Sequence, residues 1–236
     1  MKEKQESHRK PVDEAGLMQF LPAIITKITP QARNSSRASL FIEGRFFYGC
    51  FYESLKLSGL KSGEILTPEQ FSQLTSIENC FKLREYFIGL LSRREHSASE
   101  LKQKARQKRL NTDKMEEVLA ELENKGYLNE QRFTELFIRD KKNLKKWGNH
   151  KIKNELKKKG IPDALIEKSL PAEDAEDTHS MMLSLILKNK KRFSRELNIF
   201  KRKKKILDHL LRKGFSSDII FNHLDEFTKL TEAEGL

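Results

Sequence analysis

Apolar residues recur in the same helical pattern three times along the second half of the chain. The copies begin roughly 50 residues apart, a period typical of stacked helical repeats. In each copy, two apolar positions on one predicted helix are followed by a tight turn and then by positions on a second helix. The positions are Leu101, Ala105, Leu110, Met115 and Leu119; Ile152, Leu156, Ile161, Ile166 and Leu170; and Ile206, Leu210, Phe215, Ile220 and Leu224.

The turn inside each copy has its own signal. It reads Lys159-Gly160 in the second copy and Lys213-Gly214 in the third. Glycine directly after the last apolar position of a helix predicts a left-handed C-cap. The first copy departs from this pattern, because Arg109 stands where the glycine is expected.

The first part of the chain contains short runs rich in Ile, Phe and Tyr, which are typical of strands. Ile24–Ile28, Ser39–Ile42 and Phe46–Phe51 predict three antiparallel strands, with a tight hairpin turn at Glu43-Gly44. One or two helical turns are expected over Tyr52–Leu57. A sheet of this size is marginal as an independent domain, so we expect it to lean on the helix that follows.

Helix starts are marked by capping residues. Thr67 with Gln70, and Ser97 with Glu100, fit capping boxes, and Asn129 fits an N-cap. Thr75 suggests a break in the helix that starts after Thr67.

These signals predict a mainly α fold of three tandem three-helix repeats in an elongated, monomeric array, preceded by a small antiparallel β-hairpin or three-strand domain. Five segments are expected. They are a disordered tail (1–16), a small β-rich domain (17–75), repeat 1 (76–128), repeat 2 with an acidic linker (129–177) and repeat 3 (178–236).

Net charge and cysteine content narrow the possible classes of binding partner and the possible cellular compartment. The chain of 236 residues has a net charge of +12, which favours nucleic acid, an acidic protein face or an anionic membrane. No apolar run approaches the roughly 18 residues of a spanning helix, so no membrane association is expected. Two cysteines without C-x-x-C pairing and the absence of a secretory leader indicate the cytoplasm.

Several short motifs carry a family resemblance by their order and spacing. They are Arg93-Arg94-Glu95-His96-Ser97 with Glu100-Leu101; Gly126-Tyr127-Leu128-Asn129 with Arg132-Phe133; Trp147-Gly148 with Ile152, Glu155-Leu156 and Lys159-Gly160-Ile161; and the hairpin Phe41-Ile42-Glu43-Gly44 with Gly49 and Leu60-Lys61-Ser62-Gly63. Together they resemble the RecX regulators of RecA recombinase. Arg109, Asn149, His150 and the third repeat depart from the family pattern.

The resemblance implies a non-enzymatic protein that docks in the groove of the RecA filament on single-stranded DNA. It would limit filament growth or promote disassembly, with roles in recombination, DNA repair and control of the SOS response. The alternative is a sequence-nonspecific nucleic-acid-binding protein, weak on single- or double-stranded DNA, without a recombinase partner.

Basic residues form the candidate binding surface. Nine lysines and one acid lie between Lys141 and Lys159, and ten basic residues and one acid lie between Lys188 and Lys205. A solvated helix face is the alternative for the first group, and a disordered insertion is one for the second. The candidate partner or DNA contacts are Arg93, Arg94, Arg139, Lys145, Lys146, Lys151, Lys153, Lys157, Lys158, Lys201, Arg202, Lys203 and Lys204.

The sequence gives little support for base-specific DNA recognition, catalysis or metal binding. A base-reading helix-turn-helix needs polar side chains at the start of its last helix, where repeat 2 has Pro162, Asp163 and Ala164. No P-loop, dinucleotide, serine-hydrolase or zinc-protease motif occurs, and the six histidines show no metal-ligand spacing. We therefore expect no enzyme activity, cofactor or metal.

Three further side chains have two interpretations each. Trp147 and Tyr127 can stack on bases or pack into helix junctions, and the second role is favoured. His96 can contact the partner or form a local hydrogen bond beside the capping Ser97.

Overall fold

A computed structural model of the chain describes residues 14–32, 34–172 and 174–232. The predicted tail lies mostly outside them, and its last residues begin the first helix. The helices are α1 (Glu14–Met18), α2 (Tyr52–Ser58), α3 (Pro68–Leu91), α4 (Ala98–Gln107), α5 (Met115–Asn124), α6 (Glu130–Lys145), α7 (Asn149–Lys158), α8 (Asp163–Ser169), α9 (Ala175–Lys188), α10 (Lys190–Ser194), α11 (Ile199–Lys213) and α12 (Ser217–Leu230). The strands are β1 (Ala23–Gln31), β2 (Asn34–Ile42), β3 (Arg45–Phe51) and β4 (Ile65–Leu66).

The described residues fall into two compact units. The first lies within Met1–Gly89 and Lys104–Leu122, and the second lies within Leu90–Gln103 and Glu123–Leu236. No helix of the described segments is both long and apolar enough to span a membrane.

The sheet of the first unit has the strand order β3-β2-β1-β4, with all pairs antiparallel. The three predicted strands are confirmed, and Glu43 and Gly44 form their hairpin turn with φ of 50° and 75°. Strand β4 is an addition to the predicted sheet. It pairs with Ala23 and Ile24 through two residues only, too few to show an alternating pattern.

Helix α3 begins as its capping box predicts. The Gln70 N–H donates to Thr67 Oγ1 at 3.2 Å, and the Thr67 N–H donates to Gln70 Oε1 at 3.0 Å. The break suggested at Thr75 is wrong. Its hydroxyl donates to the Ser72 carbonyl at 2.9 Å, so a polar side chain is satisfied inside a continuous helix. The boundary expected at residue 75 therefore falls within α3.

A buried carboxylate joins α3 to the sheet. Glu78 is fully buried and accepts hydrogen bonds from the Phe51 N–H at 2.7 Å, the Ser54 hydroxyl at 2.9 Å and the Arg37 guanidinium at 3.2 Å. A buried charge is tolerated only when it is paired and hydrogen-bonded in this way. Burial, followed by the charge of Glu78, raises the pKa of the nearby Cys50 thiol to about 12.

The repeated apolar positions form the predicted cores. In repeat 2, Ile152, Leu156, Ile161 and Ile166 are buried together on α6–α8. In repeat 3 the corresponding residues are buried with side chains from α9 and α10. Between α9 and α11, the short helix α10 brings Phe193 into this core, and α11 begins at Ile199.

The turns after the middle helices α4, α7 and α11 are all left-handed. Gly160 and Gly214 have φ of 77° and 91°, as predicted. Arg109 adopts a φ of 56°, so the first repeat makes the same turn without glycine. For a residue with a side chain this conformation costs about 1 to 2 kcal/mol.

In the second unit, these turns dock on the start of the preceding middle helix. At the α11 end, the Gly148 N–H donates to Lys213 O at 2.9 Å and the His150 N–H donates to Gly214 O at 3.2 Å. At the α7 end, the Ser97 hydroxyl donates to Lys159 O at 2.8 Å. Carbonyls left unpaired at the C-terminus of one helix thus meet donors at the N-terminus of another.

We expect Gly148→Ala to destabilise the second unit by about 1 to 3 kcal/mol, because a Cβ there would lie 2.3 Å from the Gly214 carbonyl oxygen. Gly89→Ala is the matched control. A Cβ on Gly89 meets no atom within 4 Å, and alanine in an exposed helix interior should stabilise by about 0.5 to 1 kcal/mol. Urea unfolding followed by fluorescence of Trp147, the single tryptophan, measures the first effect. An unchanged midpoint for Gly148→Ala would show that the junction is loose.

Candidate partner-binding cleft

The first junction is organised around Glu100, in the first turn of α4. Its carboxylate accepts hydrogen bonds from Lys159 Nζ and, at 3.0 Å, from Arg94 Nη1. Its side chain is 14% exposed. Burial acts to raise the pKa of Glu100, but the hydrogen bonds and charges of Lys159 and Arg94 outweigh burial and lower it. The carboxylate therefore stays ionised and holds two cations in fixed positions.

A cleft of about 740 Å³ opens beside this ion pair, entirely within the second unit. Its walls come from the segment between α3 and α4, from one face of α6 and from the α6–α7 connection with α7. The lining residues are Leu91, Ser92, Arg93, Arg94, Glu95, Glu100, Phe133, Leu136, Phe137, Arg139, Asp140, Lys141, Trp147, Glu155 and Lys159.

Most acids of the cleft are neutralised by a neighbour. Glu95 pairs with Arg132 at 2.6 Å, and Glu155 pairs with Lys158 at 2.8 Å. The hydrogen bond from Lys158, against the effect of burial, lowers the pKa of Glu155. These acids therefore do not cancel the remaining cations of the cleft.

Two guanidinium groups remain available. Arg93 is exposed, and among the described residues its side chain has no hydrogen bond or ion pair. Arg139 is 65% exposed on its side chain, and Asp140 approaches it only to 3.9 Å. An exposed pair at that distance contributes little.

Aromatic rings form the floor under the cations. The Lys141 ammonium lies 4.9 Å from the Phe137 ring centroid and 5.3 Å from that of Trp147. The Lys159 ammonium lies 5.6 Å from the Phe137 centroid. These cation–π contacts fix flexible side chains in the cleft.

The cleft is thus suited to an anion that also offers apolar surface. Guanidinium groups bind carboxylate and phosphate through paired hydrogen bonds, and preformed side chains lose little freedom on binding. Of the predicted contacts, the fold brings Arg93, Arg94 and Arg139 together here. Lys141, Lys159 and Phe137 were not predicted, although their place near the Trp147-Gly148 motif was a signal.

The lysine stripe of α7, formed by Lys151, Lys153, Lys157 and Lys158, is more neutral than the sequence suggests. Lys153 pairs with Glu167, Lys157 pairs with Asp163 at 2.8 Å, and Lys158 pairs with Glu155. Two of these carboxylates come from α8, beyond the segment in which one acid was counted. The excess of lysines over acids counted in that segment is therefore partly balanced by α8.

Lys151, the fourth member of that stripe, lies at the second junction. Its ammonium donates to Arg212 O at 3.0 Å and lies 4.6 Å from the Trp147 ring centroid. Trp147 is half-buried against the core of repeat 2, so its predicted packing role is confirmed.

The basic residues of α11 have different roles. Arg202 is 6% exposed and donates from Nε to Glu196 O at 2.9 Å, so its prediction as a surface contact is wrong. Lys203 pairs with Asp225. Lys201 and Lys204 are exposed and have no side-chain partner among the described residues. Because α10 and α11 occupy the basic segment between Lys188 and Lys205, the alternative of a disordered insertion is wrong.

The remaining predicted residues lie elsewhere on the surface or in turns. Lys145 is exposed, and Lys146 ends α6 with a left-handed φ of 50°. Tyr127 is 53% exposed, so the prediction that it packs into a helix junction is wrong. His96 is buried, with Nδ1 3.0 Å from Arg94 O, which confirms its local hydrogen bond.

Comparison with known protein families identifies three segments of this chain. Residues 23–67 match the regulatory protein RecX N-terminal domain, residues 129–170 match the RecX second three-helix domain, and residues 181–224 match the RecX third three-helix domain. The chain belongs to the RecX family.

Relatives and solved structures agree with this assignment. The chain is 29% identical to regulatory protein RecX of Clostridioides difficile (strain 630), over 89% of this chain and 98% of the relative. It is 26% identical to regulatory protein RecX of Clostridium beijerinckii, over 84% and 92%. A crystal structure of regulatory protein RecX superposes with a TM-score of 0.68 at 21% identity, covering 86% of this chain and 99% of that one. The structure of RecX from Lactobacillus salivarius has a TM-score of 0.54 at 27% identity, covering 63% and 96%. RecX members are regulatory proteins, and the predicted mainly helical fold with three-helix repeats and a small amino-terminal sheet is confirmed.

We expect Glu100→Gln to lower stability by about 1 to 3 kcal/mol at pH 7, because the amide keeps the size but loses both charge-assisted bonds. A carboxyl whose folded pKa is lowered stabilises the protein above its unfolded pKa, about 4.3, and that stability is lost as pH falls through the folded pKa. The variant should therefore lose less stability than the parent as pH falls from about 5 through that lower value. Glu135→Gln, on the exposed face of α6, should match the parent. Urea titrations across this pH range measure both; an identical pH profile for Glu100→Gln would contradict the assignment.

Proposed function

We propose that this RecX-family protein is a non-enzymatic regulator that binds the RecA recombinase filament on single-stranded DNA and limits its growth or activity. Family membership along the chain supports the recombinase as partner. The cleft supplies the observation that carries the contact: two exposed guanidinium groups, Arg93 and Arg139, line it together with Lys141, whose ammonium lies 4.9 Å from the Phe137 ring centroid.

The partner's contribution follows from this chemistry. An acidic protein segment with an apolar side chain would place its carboxylate between the guanidinium groups and its apolar part against Phe137. The surrounding ion pairs stay in place, because the acids of the cleft are already satisfied. Binding would therefore use a preformed surface and require little rearrangement.

The α7 stripe is a weaker candidate for the same contact. A partner that takes Lys153 or Lys157 must first break its pair with Glu167 or Asp163. Exposed pairs contribute only about 0 to 1 kcal/mol each, so exchange is possible, but the net gain is small. We therefore place the principal contact in the cleft and a secondary contact on the stripe.

A second candidate function is nonspecific nucleic-acid binding. The net charge of +12 and the unpaired Lys201 and Lys204 on α11 favour it. Phosphate contacts of this kind carry no base preference. This binding is compatible with the filament proposal as a supporting interaction, and it is also the alternative if the recombinase is not the partner.

The proposal predicts that the Arg93→Gln, Arg139→Gln double variant inhibits the DNA-dependent ATPase of the recombinase much less than the parent. Two lost charge-assisted contacts of about 1 to 2 kcal/mol each raise the half-inhibitory concentration roughly tenfold or more. Both side chains are exposed, so circular dichroism and melting should not change. The assay uses a fixed excess of single-stranded DNA, and inhibition by the parent should occur far below the concentration of DNA sites.

Two matched variants separate the surfaces. Lys201→Gln with Lys204→Gln removes the same charge from α11 and should inhibit like the parent. Lys153→Gln, Lys157→Gln and Lys158→Gln together should weaken inhibition by less than the cleft variant. Full inhibition by the cleft variant would overturn the cleft as the contact surface. Inhibition only at DNA-saturating concentrations would overturn the filament assignment.

Nucleic-acid binding measured without the recombinase should be weak and strongly salt-dependent. Release of counterions from several phosphates should reduce affinity by orders of magnitude between about 50 and 200 mM salt, with no preference between oligonucleotides of different sequence. Fluorescence anisotropy measures this. Strong discrimination between two duplexes of equal length would instead support a base-reading role.

A further inference from the structure

Three potential metal ligands converge in repeat 3, away from the cleft. His179 lies on α9, and His223 and Glu226 lie on α12. One ligand atom from each residue lies within 4.8 Å of the others, and this is the one such group of three among the described residues. His179 and Glu226 are 47 positions apart, so the sequence search for ligand spacing missed them.

The distances agree with a shared ion. His179 Nε2 is 3.1 Å from both oxygens of Glu226, and His223 Nδ1 is 3.5 Å from Glu226 Oε2. Nitrogen and oxygen ligands bind zinc at about 2.0 to 2.2 Å, which places neighbouring ligand atoms about 3.0 to 3.6 Å apart. The three ligand atoms lie within 4.8 Å of one another, so the two imidazole nitrogens must approach each other by about 1 Å to complete the set.

The surrounding fold holds the ligands in place. His223 and Glu226 are three residues apart on α12, so they project from the same side of the helix, a spacing used in metal sites of helical bundles. The His179 ring stacks on Phe227 at 5.6 Å with an interplanar angle of 18°, and Phe227 is fully buried. The His179 and His223 side chains remain 28% and 31% exposed, which leaves a path for an ion.

We propose that His179, His223 and Glu226 form a binding site for a divalent transition-metal ion of the zinc class. Two imidazoles and one carboxylate favour zinc, nickel or copper over magnesium or calcium, which prefer oxygen ligands. The remaining coordination position takes water. The ion ties α9 to α12 and thereby stabilises repeat 3, since it binds the folded arrangement and not the separated helices.

The test uses the full chain without a histidine tag, freed of metal by chelation and titrated with zinc sulfate. We expect one zinc ion per chain by calorimetry. At a hundredfold excess of zinc over the dissociation constant, the melting temperature should rise by about 5 to 10 °C. Absence of stoichiometric binding would overturn the proposal and leave a His179–Glu226 hydrogen bond only.

Variants assign the ligands. His223→Gln and Glu226→Gln keep side-chain size and helix propensity, so their metal-free circular dichroism should match the parent, and each should weaken zinc binding at least tenfold. His150→Gln, an exposed histidine on α7, and Cys80→Ser should bind like the parent. Unchanged affinity in both ligand variants would contradict the site. Cobalt(II) adds a spectroscopic readout: its absorption should lack a thiolate charge-transfer band, and such a band would assign the ion to a cysteine instead.

Discussion

The second unit depends on one contact that is made twice, between the end of one middle helix and the start of the preceding one. Every helix leaves carbonyls unpaired at its C-terminus and N–H groups unpaired at its N-terminus. Here the Lys159 carbonyl accepts from Ser97, and the Lys213 carbonyl accepts from the backbone of Gly148. The contact gives these groups hydrogen-bond partners. It is also electrostatically favourable, because the helix dipoles have opposite partial charges at the two ends. Gly148 permits the approach, because a side chain there would overlap Gly214.

The first of these junctions also builds the cleft. Docking of the Lys159 turn brings its ammonium to Glu100, and Glu100 in turn holds Arg94. With those charges matched, Arg93, Arg139 and Lys141 are the cations of the described cleft that are left for a partner. The Glu100 carboxylate thus determines which basic side chains are held in the structure and which can bind a partner. Counting basic residues does not give this distinction.

Local signals in the sequence predicted most of the fold, whereas long-range pairing remained hidden. Apolar spacing, the capping residue Asn129 and the glycine turns each act over a few residues, and the structure confirms them. The partners of Lys153 and Lys157 come from another helix, and the burial of Arg202 depends on a backbone carbonyl. Their positions follow only from the assembled repeat. The same limit concealed the convergence of His179 on α12.

Hydrogen–deuterium exchange of the chain, alone and on the RecA filament, shows whether the cleft contacts the recombinase. We expect slower exchange in the segment before α4, in α6 and around the α6–α7 connection, since these carry the cleft. The same segments should be unaffected by single-stranded DNA alone. Protection confined to α11 and α12, or to the amino-terminal sheet, would contradict the assignment of the cleft as the recombinase contact.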